Sequence, residues 1–295
     1  MQLFVKTYDI LRQLRWHQWY KALLVFSVLL FLQHQSVGSF SLVLAGAIAF
    51  ALSSSIVYII NDLGDIERDR QHPVKKLRPL ASGVLTPFEV ASLMVLLSGL
   101  VLVLVGLLAN VQFTALLFGY VLLNLLYTYY IKHIPYVDIV FVALFAGIRA
   151  ASGFFLLGVA VNWFLVGAVM ALFLFILTVQ RLAEVAVNNV AARPVIKKYS
   201  PRTLKFLMTF FMMVSVIFYF LAMSVVALPL VYTDVLYFLV LLVVHEYMCF
   251  AENRKDIAED GFAFFLHHRL GLVLFLLLLL SLLVAGVALF SGLAR

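Results

Sequence analysis

Long apolar runs recur along the whole chain and restrict what it can fold into. Runs of about 18 or more residues can cross a hydrocarbon core roughly 30 Å thick as helices. The 295-residue chain is 65% hydrophobic and only 12% charged, whereas soluble domains are nearer half apolar and a quarter charged. The runs are continuous and rich in Leu, Ala and Phe, without the alternation of a membrane β-strand. The sequence therefore predicts an all-α integral membrane protein.

We predict about nine transmembrane helices in one domain that covers residues 1–295, because turn-forming or polar residues separate nine apolar runs. The predicted spans are 20–34, 39–60, 88–108, 111–129, 138–158, 161–179, 205–227, 229–250 and 270–291.

The cations predict the orientation of these spans. Every Lys and Arg except Arg149 and Arg295 falls before the first span, at its mouth, or after an even-numbered span. Cytoplasmic loops carry such an excess, so the N-terminus and the two long polar stretches, 61–87 and 180–204, are predicted to face the cytoplasm. The net charge of +7 then belongs to a membrane face and not to a nucleic-acid surface.

Three aspartates follow the second predicted span at helical spacing. If that helix continues, Asp62, Asp65 and Asp69 lie within about 60° of arc, with Asn61 near the same face. Carboxylates gathered at a bilayer edge are costly unless they are used. Mg²⁺ usually takes one or two carboxylates and completes its shell with water and phosphate oxygens. We therefore predict that these aspartates bind Mg²⁺ that bridges to a diphosphate.

Cations immediately downstream complete this predicted site. Lys75 and Arg78 are placed to bind phosphate oxygens, Arg through its planar fork and Lys as a point charge. Pro73 and Pro79 fix a turn that brings them back toward the aspartates. The remaining cations of this loop are interpreted as setting topology: Arg68, Arg70 and Lys76.

Arg149 is a charge inside a predicted span, which is costly and indicates a functional role by default. The alternative is that Arg149 pairs with Asp138 or Glu184 near the cytoplasmic end of the bundle.

The pattern N-D-x-x-D-x-x-x-D at 61–69 resembles the first motif of the UbiA superfamily of membrane-embedded prenyltransferases. The string HPVKKLRPLASG at 72–83 is similar to one branch, which transfers phosphoribosyl from phosphoribosyl pyrophosphate to decaprenyl phosphate. The resemblance implies a UbiA-like helical bundle with Mg²⁺ as cofactor. It also implies a multi-pass protein of a bacterial inner membrane, with its active site open to the cytoplasm.

Further motifs of that branch recur along the chain. The segment RWHQWYK at 15–21 is similar to R-x-x-Q-W-x-K-N, with Ala22 in place of the Asn. Residues 127–138 match Y-x-x-x-x-K-H…D, and residues 148–153 match L-R-A-x-x-G. The resemblance implies substrate-binding roles for five residues: Lys21, Asn61, Tyr127, Lys132 and Arg149.

The second polar stretch distinguishes the branches of the superfamily. Its prenyltransferases carry a second motif, D-x-x-x-D, whereas residues 180–200 of this chain contain no Asp and only Glu184 as a carboxylate. The stretch instead resembles the K-R-x-A-E-L…R…Y pattern of the phosphoribosyl branch, with Gln180 in place of the Lys. This implies substrate-binding roles for four residues: Arg181, Glu184, Arg193 and Tyr199. Two alternatives stay open, since Arg181 and Glu184 are spaced to pair with each other and cations here also suit lipid headgroups.

The resemblance and the missing second motif together imply Mg²⁺-dependent transfer of phosphoribosyl from phosphoribosyl pyrophosphate to a polyprenyl phosphate. The alternative enzyme is a prenyltransferase that moves an isoprenoid from a prenyl diphosphate to an aromatic or other acceptor. The non-enzyme alternative is an isoprenoid-lipid transporter or binding protein. Charges that cluster at one face, rather than at the midplane between inverted repeats, count against it.

Overall fold

The computed structural model describes residues 2–31, 36–71, 75–187 and 194–224, together with positions 238–239, 242, 246 and 272–273. Within these ranges the regular structure is entirely helical. The α-helices are α1 Gln2–Leu14, α2 Val37–Gly64, α3 Ile66–Gln71, α4 Pro87–Leu108, α5 Val111–Tyr129, α6 Val137–Leu157, α7 Trp163–Val187 and α8 Pro201–Met223. Helices of 3₁₀ type cover Trp16–Phe31, Lys75–Leu77, Ile131–His133 and Pro194–Lys198.

Six of the described helices are long and apolar enough to cross a membrane: α2, α4, α5, α6, α7 and α8. They correspond to the second through seventh predicted spans. The first predicted span, 20–34, falls on the 16-residue 3₁₀ helix Trp16–Phe31, which is not among the six. The predicted spans 229–250 and 270–291 lie outside the described residues, apart from a few isolated positions.

Polar side chains begin several of these helices and join their ends. The Thr86 hydroxyl and the Glu89 carboxylate form a reciprocal capping box at the start of α4. The Asn110 side chain accepts from Phe113 N at the start of α5 and donates to Phe155 O at the end of α6, at 3.1 Å. Such caps satisfy backbone groups that an apolar environment would otherwise leave without partners.

Helices α2 and α6 form the centre of the bundle. Within the bundle, 67% of the α6 span and 56% of the α2 span are buried, against 17% for α4 and 22% for α8. Polar residues carried by these two central helices are therefore held away from lipid. Both helices also pack against the 3₁₀ helix Trp16–Phe31.

Gly153 allows the closest approach between α6 and the 3₁₀ helix. A Cβ atom at this position would lie 2.2 Å from the backbone carbonyl oxygen of Val25. Because a backbone atom cannot move aside as a flexible side chain can, the contact requires glycine.

We expect Gly153→Ala to push these helices apart and to lower the free energy of unfolding by about 1–3 kcal/mol. Gly99→Ala is the matched control, because a Cβ atom there meets nothing within 4 Å and Ala favours helix over Gly. Thermal unfolding in detergent should show a loss for the first variant and none for the second. Equal losses would contradict the close approach.

Candidate active site

The three aspartates lie where α2 ends and α3 begins. The predicted continuous helix is wrong at one point, because α2 ends at Gly64 and Asp65 has φ −104° and ψ 9°. Backbone hydrogen bonds still cross the break, from Asp65 N to Asn61 O at 2.9 Å and from Asp69 N to Asp65 O at 2.8 Å. The helical spacing therefore persists while the helix axis is interrupted.

Asp62 is the most heavily bonded of the three. Its side chain is only 4% exposed and accepts from Arg15 Nη2 at 2.7 Å, Arg78 Nη1 at 3.0 Å and Gln13 Nε2 at 3.0 Å. A buried carboxylate needs such cationic and polar donors to offset the loss of water.

Arg78 joins Asp62 to Asp69. Its Nη1 atom also donates to Asp69 Oδ2 at 2.5 Å, and the Asp69 side chain is as buried as that of Asp62. One cationic nitrogen thus lies between oxygens of two different carboxylates. The turn that contains Pro79 brings Arg78 back to the aspartates, as the prolines suggested.

Asp65 lies with other partners. Its carboxylate accepts from Arg68 at 3.1 Å and lies 3.7 Å from Lys132, which follows α5. Burial and the positive charge of Arg78 lower the pKa of the Lys75 ammonium group, while the negative charges of Asp69 and Asp65 oppose this shift. The first polar loop and Lys132 therefore meet at one end of the bundle.

The donor set at this site fits a magnesium ion with two carboxylate ligands. No group of three His, Cys, Asp or Glu side chains in the described ranges is arranged to hold an ion, so the structure does not gather the three predicted ligands. Oxygens of Asp62 and Asp69, however, converge on one positive charge. Mg²⁺ bound to one or two carboxylates and to substrate phosphate suits that pair.

Gln13 was not predicted as a site residue. Arg15 was assigned only to a family motif, and its contact with Asp62 was not predicted. Arg15 adopts a left-handed backbone conformation with φ 52°, and its guanidinium lies 4.5 Å from the centre of the Tyr58 ring. Tyr58 also donates to Gln18 Oε1 at 2.7 Å, and Gln18 accepts from Lys21. The N-terminal segment is therefore packed over the acidic site. Lys21 is linked through Gln18 to Tyr58, which lies about one turn of α2 before Asp62.

A second buried cluster joins α6, α7 and the segment before α8. Arg181 donates to Asp138 Oδ2 at 3.1 Å and to Glu184 Oε1 at 2.7 Å, and Tyr199 donates to Asp138 Oδ1. The sequence left open whether Arg181 pairs with Glu184, and the structure confirms this ion pair. Tyr127 interacts electrostatically with this cluster and with Tyr58. Arg193, which the resemblance assigns to substrate binding, lies outside the described residues.

Arg149 lies apart from both clusters. The alternative that it pairs with Asp138 or Glu184 is wrong, because its hydrogen bonds go to neutral oxygens and both of those carboxylates bind Arg181 instead. Arg149 instead contacts hydroxyl groups on α2 and α5.

We expect Tyr199→Phe to lower the free energy of unfolding by about 1.5–3 kcal/mol, because a hydrogen bond to a buried carboxylate is lost. Burial and the bond to Asp138 raise the pKa of the Tyr199 hydroxyl. Its contribution is therefore fully present below the unfolded tyrosine pKa of about 10 and lost as pH rises above it. Unfolding measured from pH 8 to 11 should show a smaller alkaline loss in this variant than in wild type. The exposed Tyr129→Phe control should retain the wild-type profile; an unchanged profile in Tyr199→Phe would contradict the assignment.

The chain matches the family model described as the UbiA prenyltransferase family over residues 22–270. It is 31% identical over 208 residues to a decaprenyl-phosphate phosphoribosyltransferase of Corynebacterium glutamicum, covering 68% of this chain and 62% of that relative. A protein of the same name from Mycolicibacterium smegmatis is 32% identical over 215 residues, covering 68% of this chain and 65% of the relative. The match thus spans less than two thirds of either relative.

A solved structure has the same fold. A UbiA homolog from Archaeoglobus fulgidus bound to GPP and Mg²⁺ matches with a TM-score of 0.70 at 20% identity, covering 96% of this chain and 99% of that chain. The six apolar helices and these similarities support a multi-pass, all-helical membrane protein, and they support the prediction that it is an enzyme. The chain belongs to the UbiA prenyltransferase family.

Proposed function

We propose that this chain transfers phosphoribosyl from phosphoribosyl pyrophosphate to a polyprenyl phosphate in a Mg²⁺-dependent reaction. The C1–O bond to pyrophosphate breaks, a bond from C1 to an oxygen of the lipid phosphate forms, and pyrophosphate leaves. The names of the corynebacterial and mycolicibacterial relatives support this reaction. The single domain over 1–295, the nine spans, the cytoplasmic N-terminus and the bacterial inner membrane are parts of the same proposal.

One observation carries the choice of donor. The cytoplasmic end of α7 offers Glu184 as its only carboxylate, and that group is bound to Arg181, which also binds Asp138. A second set of metal ions on a prenyl diphosphate needs more oxygen ligands than Glu184 alone provides. A donor that needs only the acidic site at the end of α2 fits better.

The residues around Asp62 have the charges that a departing pyrophosphate requires. Arg15 and Arg78 bind the Asp62 carboxylate. Lys75 interacts electrostatically with Asp69 and Asp65. We propose that Asp62 and Asp69 hold Mg²⁺, with Asp65 contributing from the side, while these cations bind pyrophosphate oxygens. Bound Mg²⁺ supplies Lewis-acid stabilisation of the charge on the leaving group.

The acceptor needs little activation in this scheme. A lipid phosphate is already an anion, so no strong general base is required, and catalysis rests on positioning and electrostatic stabilisation of the oxocarbenium-like ribose. In this proposal Lys21, Asn61, Tyr127 and Lys132 bind substrate around the acidic site. In this proposal Arg181, Glu184 and Tyr199 of the second cluster also bind substrate, and Arg193, which lies outside the described residues, has the same role.

A prenyl transfer reaction is the second candidate. It is favoured by the archaeal relative whose structure holds GPP and Mg²⁺, because the first acidic motif serves both reactions. The two candidates differ in which diphosphate is consumed, so they can be separated with labelled donors.

We expect purified protein to move label from phosphoribosyl pyrophosphate to a polyprenyl phosphate only when Mg²⁺ is present. Asp62→Asn and Asp69→Asn should each reduce the rate by about 100-fold or more, because each carboxylate holds the charge-stabilising centre. Asp65→Asn should have a smaller effect, since its carboxylate points to Arg68 and Lys132.

Glu67→Gln is the matched control on the same loop, because its carboxylate is exposed and paired only with Arg70 among the described residues; this variant should retain wild-type rates. Label that passes only from a prenyl diphosphate to an aromatic acceptor would favour the second candidate. If neither transfer occurs and an isoprenoid lipid crosses a bilayer instead, the enzyme proposal fails.

A further inference from the structure

The side chain of Arg149 is buried in the apolar span of α6 and is only 5% exposed. Its guanidinium donates to Phe145 O at 3.3 Å, to Ser54 Oγ at 3.3 Å and to Tyr120 OH. The Nε atom is buried and has no acceptor within the described part of the chain. The bonds that Arg149 makes therefore all end on neutral oxygens.

The charge of this group is not balanced by the protein that surrounds it. The other buried arginine, Arg181, has two carboxylate partners, whereas Arg149 has none among the residues that the structure describes. Arginine stays protonated in proteins, and an ion buried without a counter-ion is costly unless a ligand compensates it. The surroundings of Arg149 thus favour an anion.

Two hydroxyl groups complete the surroundings. Tyr120 OH lies 2.9 Å from Ser54 Oγ, and the guanidinium carbon of Arg149 lies 4.6 Å from the centre of the Tyr120 ring. These residues come from α5, α2 and α6, so the cluster lies where three helices meet. The Ser54 hydroxyl donates to Phe50 O at 2.8 Å, so it must rotate away from this acceptor to donate to an incoming oxyanion. The guanidinium fork of Arg149 matches phosphate geometry.

The cluster is connected to the acidic site along α2. Ser54 precedes Asp62 by eight residues, which is about 12 Å along the helix axis. Between them, Ser55 accepts from Trp19 Nε1 at 3.0 Å and Tyr58 donates to Gln18. Polar groups of α2 therefore lie along the stretch between Ser54 and Asp62, where Ser55 and Tyr58 bind the N-terminal segment.

We propose that Arg149, Tyr120 and Ser54 bind a phosphate monoester inside the bundle, without metal and separately from the diphosphate site at Asp62. The identity of its ligand rests on the proposed function, in which two substrates carry such a group: the 5-phosphate of the ribose donor and the phosphate of the isoprenoid acceptor. Both present the same oxyanion chemistry to the guanidinium.

The test measures binding of ribose 5-phosphate and of geranyl phosphate to the purified full chain without Mg²⁺, by equilibrium dialysis. Neither probe contains a diphosphate. We expect wild type to bind at least one probe, Arg149→Gln to weaken that binding by at least about tenfold, and Arg149→Lys to restore part of it. Glu67→Gln, whose carboxylate is exposed, should bind the same probe as tightly as wild type. Loss of ribose 5-phosphate binding assigns the site to the donor, and loss of geranyl phosphate binding assigns it to the acceptor.

The proposal is overturned if wild type binds neither probe, or if Arg149→Gln binds both as tightly as wild type and is merely less stable to heat. The second outcome would mean that Arg149 only stabilises the packing of α6 against α2 and α5. If Arg149→Gln does not fold, Tyr120→Phe gives the same decision, because it keeps the ring and removes the hydroxyl group. Failure of label transfer in wild type, with Arg149-dependent probe binding intact, would overturn the proposed function and leave this site standing.

Discussion

The shared contact of Arg78 with Asp62 and Asp69 organises one end of the molecule. Two buried carboxylates close together repel each other, and the Arg78 guanidinium nitrogen that lies between them offsets this repulsion. The contact also fixes the path of the chain, since Arg78 reaches back across the turn to the end of α2. Arg15 adds a second cation from the N-terminal segment. The carboxylate pair thus determines where three separate parts of the chain meet.

The same requirement of charge balance explains the rest of the polar interior. Asp138 and Glu184 are neutralised by Arg181, which ties α6 to α7. Glu184, the only carboxylate of the second polar stretch, is therefore bound to arginine, whereas the first polar stretch carries three aspartates in a row at helical spacing. Arg149 departs from this rule, which is why a ligand is the simplest explanation of its position.

Much of the architecture was predictable because lipid imposes simple rules on length and hydropathy. The predicted span 111–129 coincides with α5, and the aspartate spacing survives an interruption of the helix. Local patterns could not predict long-range partners: Gln13 and Arg15 reach Asp62 from more than forty residues away. The pairing suggested for Arg149 was wrong for the same reason, since its partners Tyr120 and Ser54 lie 29 and 95 residues away along the chain. The 3₁₀ form of Trp16–Phe31 carries no distinct signal in an apolar run.

We propose that Asp62 and Asp69 would hold the metal ion while phosphoribosyl pyrophosphate is bound. Replacing Mg²⁺ with Mn²⁺ allows a direct measurement by electron–nuclear double resonance on the purified chain. We predict ³¹P couplings to bound Mn²⁺ when phosphoribosyl pyrophosphate is added, and their loss in Asp62→Asn but not in Glu67→Gln. Couplings that arise with a prenyl diphosphate and never with phosphoribosyl pyrophosphate would contradict the account.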